Sequence, residues 1–419
     1  MRVGEVRHEE RAQWGKPLEG VRILAAEQMQ ALPYATQLMA HLGADVVKVE
    51  HPKTGESGRG ARPSLIDDDG REVGATYLRN NLSKRSIGID LKAVEGCELF
   101  KRLVPHFDVV AENYKPGTMK RLGLGYNDIH QIEPRTVYVS ISGFGNLTQS
   151  PYASWPAYAP IPEAMAGFYE AIRQPGQPPP VLVAGALGDI GSAMFAVIGI
   201  LAALRHRERT GLGQHVDVAM YDAMVAMADM VPFMWSMGVP SFQSGGVGYG
   251  IIAGFKAKDG YFVIEVIREH QFERLAKIIG HPEWCEDERF ATREGWTAQL
   301  DSVIRPALES WARDKTKLEA SHALSAEGVA AGPSNEAKDL YADPHVQAHN
   351  MLIEVPRPDG GKPMLVVGNP IKLSRMAEGP VSRFPRLGQH TTEVLRDTLG
   401  LAEGELADLR KRGVISDGA

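Results

Sequence analysis

Cysteine is almost absent: the 419-residue chain holds two, Cys97 and Cys285, far apart in sequence. Two isolated thiols supply neither a disulfide framework nor a thiolate metal cluster, and such usage fits a reducing cytoplasm. No run of about 18 apolar residues occurs, so no membrane-spanning helix and no membrane partner are expected. The opening stretch, MRVGEVRHEERAQWGKPLEG, carries both charges and lacks the apolar centre of a secretory signal. An excess of positive charge is missing as well. Lys and Arg number 46 against 52 Asp and Glu, a net charge of −6, which gives no sign of a general nucleic-acid binder.

Several chemistry-bearing motifs are also missing. There is no GxxxxGK[ST], no HExxH and no GxSxG, so a P-loop, a zincin site and a nucleophile elbow are not expected, and no metal site is assigned. Gly248 to Ala253 fits the loose GxGxxA pattern. A dinucleotide fingerprint needs a strand before it and a helix after it, whereas here a Ser/Gly loop precedes and a hairpin follows. Cys97 lies in a helical pattern and Cys285 beside Glu283 and Glu286; neighbouring carboxylates raise a thiol's pKa, so neither reads as activated.

What is present is an alternation of strand and helix. Val21–Ala26 reads as a buried strand, and Pro33 suits the first turn of a helix carrying Tyr34, Leu38, Met39 and Leu42. Gly43 closes it, and Val46–Val49 is the next strand. The pattern repeats with a helix at 95–103 and strands at 108–111, 136–141 and 215–218. This predicts an α/β fold with an open parallel sheet. After Ala223 the character changes. Met224, Met227, Met230, Met234 and Met237 follow in one helical stretch that Pro232 is expected to kink, either core, dimer interface or the lining of an apolar acyl pocket. A hairpin turns at 258–261, helices run to about Ala331, and strand character resumes near Met351, with Met364–Val367, before polar helices end the chain. The expected division is 15–224, the first part of a large domain; 225–345, a small α+β domain; and 346–419, a return to the large one. No internal repeat is evident.

An acid among glycines stands out: ALGDIGSAM, with Asp189 just ahead of an apolar run. Two readings stand for Asp189 from these residues, a helix N-cap or a reaction nucleophile. The markers PLEGVRILA, HLGADVVKVEHP, SKRSIGIDLK, ENYKPGTMKRLGLGY, VYVSISGFG, LGDIGSAM, RTGLGQHVDVAMYDA, GYFVIEV, ADPHV and PRLGQHT occur in order from Pro17 to about Ile415. With them the chain resembles the class III coenzyme A-transferases, the CaiB/BaiF group.

The resemblance implies a Rossmann-like large domain, a smaller domain and an interlocked dimer, a homodimer or a heterodimer with a paralogue. It implies an enzyme that moves CoA from an acyl-CoA to a free carboxylic acid through a covalent aspartyl-CoA on Asp189. The acyl-CoA and the acid are the small-molecule partners, and no tightly bound cofactor is needed. Helix N–H groups and the helix dipole are expected to keep Asp189 ionised. Carried over residue by residue, Gln30 and Ala31 match positions beside the thioester, and Lys92, Arg121, Asn113 and Tyr114 match CoA contacts. His51 stands where a relative uses arginine, and a neutral imidazole holds phosphate less strongly. Gly245, Gly246 and Gly248 match a loop that closes over the site and offers N–H donors.

One branch of the resembled family, the α-methylacyl-CoA racemases, uses a histidine where this chain has Tyr158. A phenol with an ordinary pKa near 10 is a poor two-way proton shuttle, which argues against racemase or isomerase activity, the alternative on this scaffold. A third alternative is an inactive CoA-binding subunit of a heteromer. The chain also departs from transferase relatives, with Ala159 in place of a glutamate and Glu163 in place of a glutamine.

Overall fold

The computed structural model describes residues 1–182, 184–239 and 249–418. The chain forms two compact units, one of Met1–Glu170, Pro180–Phe233 and Pro344–Ala419, the other of Ala171–Pro179 and Met234–Asp343.

The first unit is built on a seven-stranded sheet. Its strands, numbered along the chain, are β1 (Arg22–Ala26), β2 (Asp45–Glu50), β3 (Arg85–Ile89), β4 (Val109–Glu112), β5 (Val137–Ser142), β6 (His215–Ala219) and β7 (Ile415–Ser416). They lie in the order β7-β3-β2-β1-β4-β5-β6. Strands β1 to β6 are parallel, and β7 pairs antiparallel with β3. The order 3-2-1-4-5-6 is that of a dinucleotide-binding sheet, and it reverses direction between β1 and β4.

Alternation along each strand feeds two cores. Ile23, Ala25, Val46, Val109, Ala111, Val137 and Val139 face helices α1 (Ala31–His41) and α3 (Leu187–Thr210) through Leu32, Ala35, Met39, Ala193, Ala196 and Ile200. Leu24, Ala26, Val47, Val49, Ile87 and Val110 face Leu99, Phe100 and Leu103. Val394, Leu395, Leu406 and Leu409 of the final helices close the same face. Along the chain, before α3, comes the short helix α2 (Pro160–Met165). The second unit has a three-stranded antiparallel sheet, Ile251–Ala257, Gly260–Val266 and Ala330–Pro333, over a core in which Phe272 stacks on Trp296 at 4.5 Å.

Four expectations are corrected. The stretch up to Ala331 is not helical to its end: Ala330–Pro333 is a strand whose backbone pairs with the open edge of Gly260–Val266. Strand character after Met351 does not extend the large sheet; Leu352–Val355 and Met364–Val367 pair with each other, and only β7 returns to it. The methionine stretch is two helices, α4 (Met220–Met227) and α5 (Met230–Ser236). The break falls at Ala228, four residues before Pro232, whose ring would clash with a helical carbonyl there and which has no N–H to offer it; the Ala228 carbonyl accepts the Val231 N–H at 2.7 Å instead. Finally, α3 is long and apolar enough to cross a membrane, with a mean hydropathy of 2.0 over 18 residues. Half of that window is buried, and the buried face is the one that packs on the sheet.

Candidate active site

In a parallel sheet the carboxyl ends of all strands share one edge, and ligands settle where the strand order reverses. The chain leaves β1 at Ala26 and reaches Gln30 and Ala31; His51 directly follows β2, Lys92 lies three residues after β3, and Asn113 and Tyr114 directly follow β4. The structure therefore brings all of these, with Arg121 at the end of the short helix Thr118–Arg121, to one edge.

Asn113 spans the reversal. Its Oδ1 accepts the N–H of Gln28 at 2.8 Å and its Nδ2 donates to the Gln28 carbonyl at 2.9 Å. Met29 next to it has a positive φ of 61°, and Oε2 of Glu56 accepts its N–H at 2.9 Å. Beneath this loop lies a buried charge layer. Glu27 receives Nζ of Lys84 at 2.7 Å and the hydroxyl of Thr36 at 2.7 Å, with Nζ of Lys48 at 3.6 Å. Glu50 holds Arg59 through two bonds of 2.6 and 2.8 Å, which keeps its carboxyl well below the usual range, at about 2. A paired, hydrogen-bonded layer of this kind fixes the backbone above it.

Lys92 and Arg121 are exposed, and among the described residues neither pairs with an acid. Arg121 donates to the Thr118 hydroxyl at 3.0 Å. Nδ1 of His51 accepts the N–H groups of Lys53 and Thr54 at 3.3 Å. Burial pushes the Tyr114 phenol up to about 12.

Asp189 is the third residue of α3, inside its first turn, and not its N-cap. That position belongs to Ala186, in a left-handed conformation at φ 40°. The expected capping acceptor is supplied instead by Glu163 on α2, 1 % exposed, whose Oε1 accepts the Gly188 N–H at 2.8 Å. The other oxygen of Glu163 accepts the Tyr169 phenol. Gly188 is pressed against the chain at Ala159: a Cβ there would lie 2.8 Å from the Ala159 Cα and carbonyl oxygen.

The half-buried carboxylate of Asp189 has no hydrogen-bond partner among the described residues. Burial, then the charge of Glu163, push its pKa up from 3.8 to about 6, against the opposing pull of Arg79. Helix donors therefore do not lower it as expected, because Glu163 has taken the nearest one. At pH 7 the group is still mostly ionised, and a carboxylate without hydrogen bonds keeps its electron pairs for attack.

Tyr158 leads into this contact with its side chain 69 % exposed. Gly245, Gly246 and Gly248 lie outside the described residues. Neither Arg79 nor the capping role of Glu163 is visible in the sequence pattern. Arg79 sits in no motif, and Glu163 stands 25 residues before the N–H it accepts. Among the described residues no cluster of three His, Cys, Asp or Glu is placed to hold a metal.

Comparison with known proteins matches residues 18–391 to the model of CoA-transferase family III. The chain is 32% identical over 405 residues to the succinyl-CoA–L-malate CoA-transferase beta subunit of Chloroflexus aurantiacus, covering 95% of this chain and 98% of that one. It is 35% identical over 424 residues to the formyl-CoA:oxalate CoA-transferase of Streptomyces avermitilis, covering 96% and 100%. A solved structure of a CaiB/BaiF family protein from Brucella suis is similar at a TM-score of 0.79 and 32% identity, over 91% of this chain and 99% of that one.

Proposed function

This chain belongs to CoA-transferase family III, and from that premise we propose that Asp189 is the nucleophile that carries CoA between two carboxylic acids. A carboxylate oxygen of Asp189 attacks the thioester carbonyl of the donor acyl-CoA. The C–S bond breaks, giving a mixed anhydride and CoA thiolate. The thiolate attacks the Asp189 carbonyl carbon, expels the donor acid as its carboxylate and leaves an aspartyl-CoA thioester. The acceptor carboxylate then attacks that thioester, and the released thiolate attacks the acceptor's acyl carbon. Acceptor-CoA leaves and the Asp189 carboxylate is restored. One thioester replaces another, so no net proton and no nucleotide hydrolysis are required.

The observation that carries this reading is Asp189 itself, a half-buried carboxylate, raised to about 6 and without a hydrogen-bond partner among the described residues, in the first turn of α3. In the same reading Lys92 and Arg121 hold CoA phosphates, as exposed cations without acid partners can. Gln30, Ala31, Asn113 and Tyr114 line the pantetheine path, and His51 contributes least. The relatives' names pair succinyl-CoA with malate and formyl-CoA with oxalate, so dicarboxylic acids are the first acceptors to assay. We also infer an interlocked dimer. Met194, Phe195, Ile198 and Leu201 leave an apolar stripe of α3 exposed, as a partner-covered face would be. One relative is named as a beta subunit, which keeps a heteromer in view. Two free cysteines fit a cytoplasmic enzyme.

Racemase activity would need a second base beside Asp189. Tyr158 is an exposed phenol, and Glu163 is committed to Gly188 and Tyr169. The reading is tested by incubation with an acyl-CoA and an isotopically labelled free acid in deuterated water. Label entering the thioester pool is expected. Deuterium at the α-carbon without exchange of acid would favour the racemase.

A further inference from the structure

We propose that Glu56 is a positioning residue for CoA transfer: it holds Met29 in a left-handed backbone conformation, and that conformation sets Gln30 and Ala31 against the thioester. This rests on the reading of Gln30 and Ala31 as neighbours of the thioester and adds the group that keeps them there.

The starting observation is a backbone outlier. Met29 has φ 61°, in a region that a Cβ disfavours and that glycine enters freely. Among the described residues five non-glycine positions have a positive φ, His8, Met29, Ser83, Ala186 and Asn350, and Met29 is the one directly before Gln30. Methionine has no short polar side chain to bond its own backbone there, as asparagine does. The surroundings must therefore impose the conformation.

They do so from two loops. Asn113, after β4, holds the N–H and the carbonyl of Gln28 at 2.8 and 2.9 Å. The turn after β2 supplies the rest: the Ser57 hydroxyl donates to Oε1 of Gln28 at 3.1 Å, and Oε2 of Glu56 accepts the N–H of Met29 itself at 2.9 Å. Glu56 is buried and fixed in turn. The same Oε2 accepts the Gly58 N–H at 2.5 Å, and the Glu56 N–H donates to Glu50 at 3.2 Å. Its other oxygen, Oε1, has no hydrogen-bond partner among the described residues and faces Nζ of Lys48 at 3.5 Å, an ammonium likewise buried and without a hydrogen bond. One oxygen thus takes two backbone donors and the other meets a counter-charge. Capping the turn Ser57–Gly60 needs only the Gly58 bond. The second bond crosses 27 residues of sequence to the loop of the neighbouring strand.

Releasing the Met29 N–H lets φ relax to the negative region and swings the peptide that carries Gln30. A misplacement of about 1 Å at a reacting centre can cost about a hundredfold in rate. Lys92 and Arg121, which hold the CoA phosphates in the same reading, stand after β3 and after β4. Loss of the Glu56 bond therefore slows the covalent step and spares CoA binding.

The test is the rate at which the covalent CoA adduct forms from an acyl-CoA, read by rapid-quench mass spectrometry, with CoA affinity measured beside it. In Glu56→Ala the adduct should form about tenfold to a hundredfold more slowly, the range that backbone strain of this kind spans, with CoA affinity within about threefold of wild type. Glu56→Gln keeps an oxygen for the Met29 N–H and should lose less. Met29→Gly added to Glu56→Ala should raise the rate about threefold or more, because glycine holds the left-handed conformation unaided. Met29→Val leaves Glu56 in place and burdens the same φ with a β-branched side chain. It should slow the adduct as Glu56→Ala does, and it carries the test if Glu56→Ala fails to fold. A wild-type rate in Glu56→Ala or Met29→Val, or no gain from Met29→Gly, would overturn the proposal. Failure of the wild type to form any covalent CoA adduct would instead defeat the Asp189 reading, so the two failures are distinguishable.

Discussion

Glu163 accepts the backbone N–H of Gly188 at 2.8 Å, so the carboxylate at the start of α3 that satisfies the helix is not the one that follows in sequence. The consequence falls on Asp189, one residue on. Freed from capping, it lies beside a buried carboxylate, and its proton affinity rises.

Replacing Glu163 with glutamine keeps an oxygen for the Gly188 N–H and removes the charge. The acid limb of kcat/KM for CoA exchange, expected near pH 6 from the raised Asp189 carboxyl, should therefore move to lower pH in Glu163→Gln. A pH–rate profile reads this directly, and an unmoved limb would mean that Glu163 does not act on Asp189.

The same shift has a sign for stability. The folded pKa of Asp189 lies above its ordinary value of 3.8, so its contribution to stability is complete below about pH 4 and lost as pH rises through about 6. Asp189→Asn removes a charge the fold disfavours. It should stabilise the protein by on the order of 1 kcal/mol at pH 8, a screened fraction of the full shift for a half-exposed group, and leave stability at pH 4 unchanged. Urea unfolding at the two pH values checks it; equal stability at pH 8 would contradict it.

Gly188 is a position where packing excludes any side chain. A Cβ would meet backbone atoms of Ala159 at 2.8 Å, and backbone cannot swing aside. Gly188→Ala should cost about 1–3 kcal/mol of stability through overpacking and slow exchange about tenfold or more, because a small displacement of the nucleophile breaks attack geometry. Thermal unfolding and a steady-state rate measure both, and a full rate would show that the α3–Ala159 contact does not set the position of Asp189.

The large sheet was readable because its residues repeat with the period of their elements. Ile23 and Ala25 face one core and Leu24 and Ala26 the other, and Leu99, Phe100 and Leu103 recur on one side of a helix. Ala330–Pro333 was not readable. Its residues, AAGP, carry no strand preference, and its pairing is dictated by the unfilled edge of Gly260–Val266. The position of Asp189 in α3 was misjudged for a related reason. An Asp before an apolar run looks like a cap, and only the tertiary contact with Glu163 shows that the place is taken. The resemblance carried Asp189, Lys92 and Arg121 as individual residues; that they share an edge with Gln30 follows from the parallel strand order. Arg79 belongs to no pattern, and its relation to Gln30 and Asp189 exists only in the folded chain.

The central claim is that Asp189 becomes covalently bonded to CoA. Intact-protein mass spectrometry after mixing with a panel of acyl-CoA donors measures this most directly, with Asp189→Ala in parallel and each sample repeated with hydroxylamine. The account predicts an adduct of the mass of CoA on the wild type, removed by hydroxylamine and never formed on Asp189→Ala. An adduct that persists on Asp189→Ala, or its absence from the wild type under conditions where CoA exchange proceeds, would contradict it.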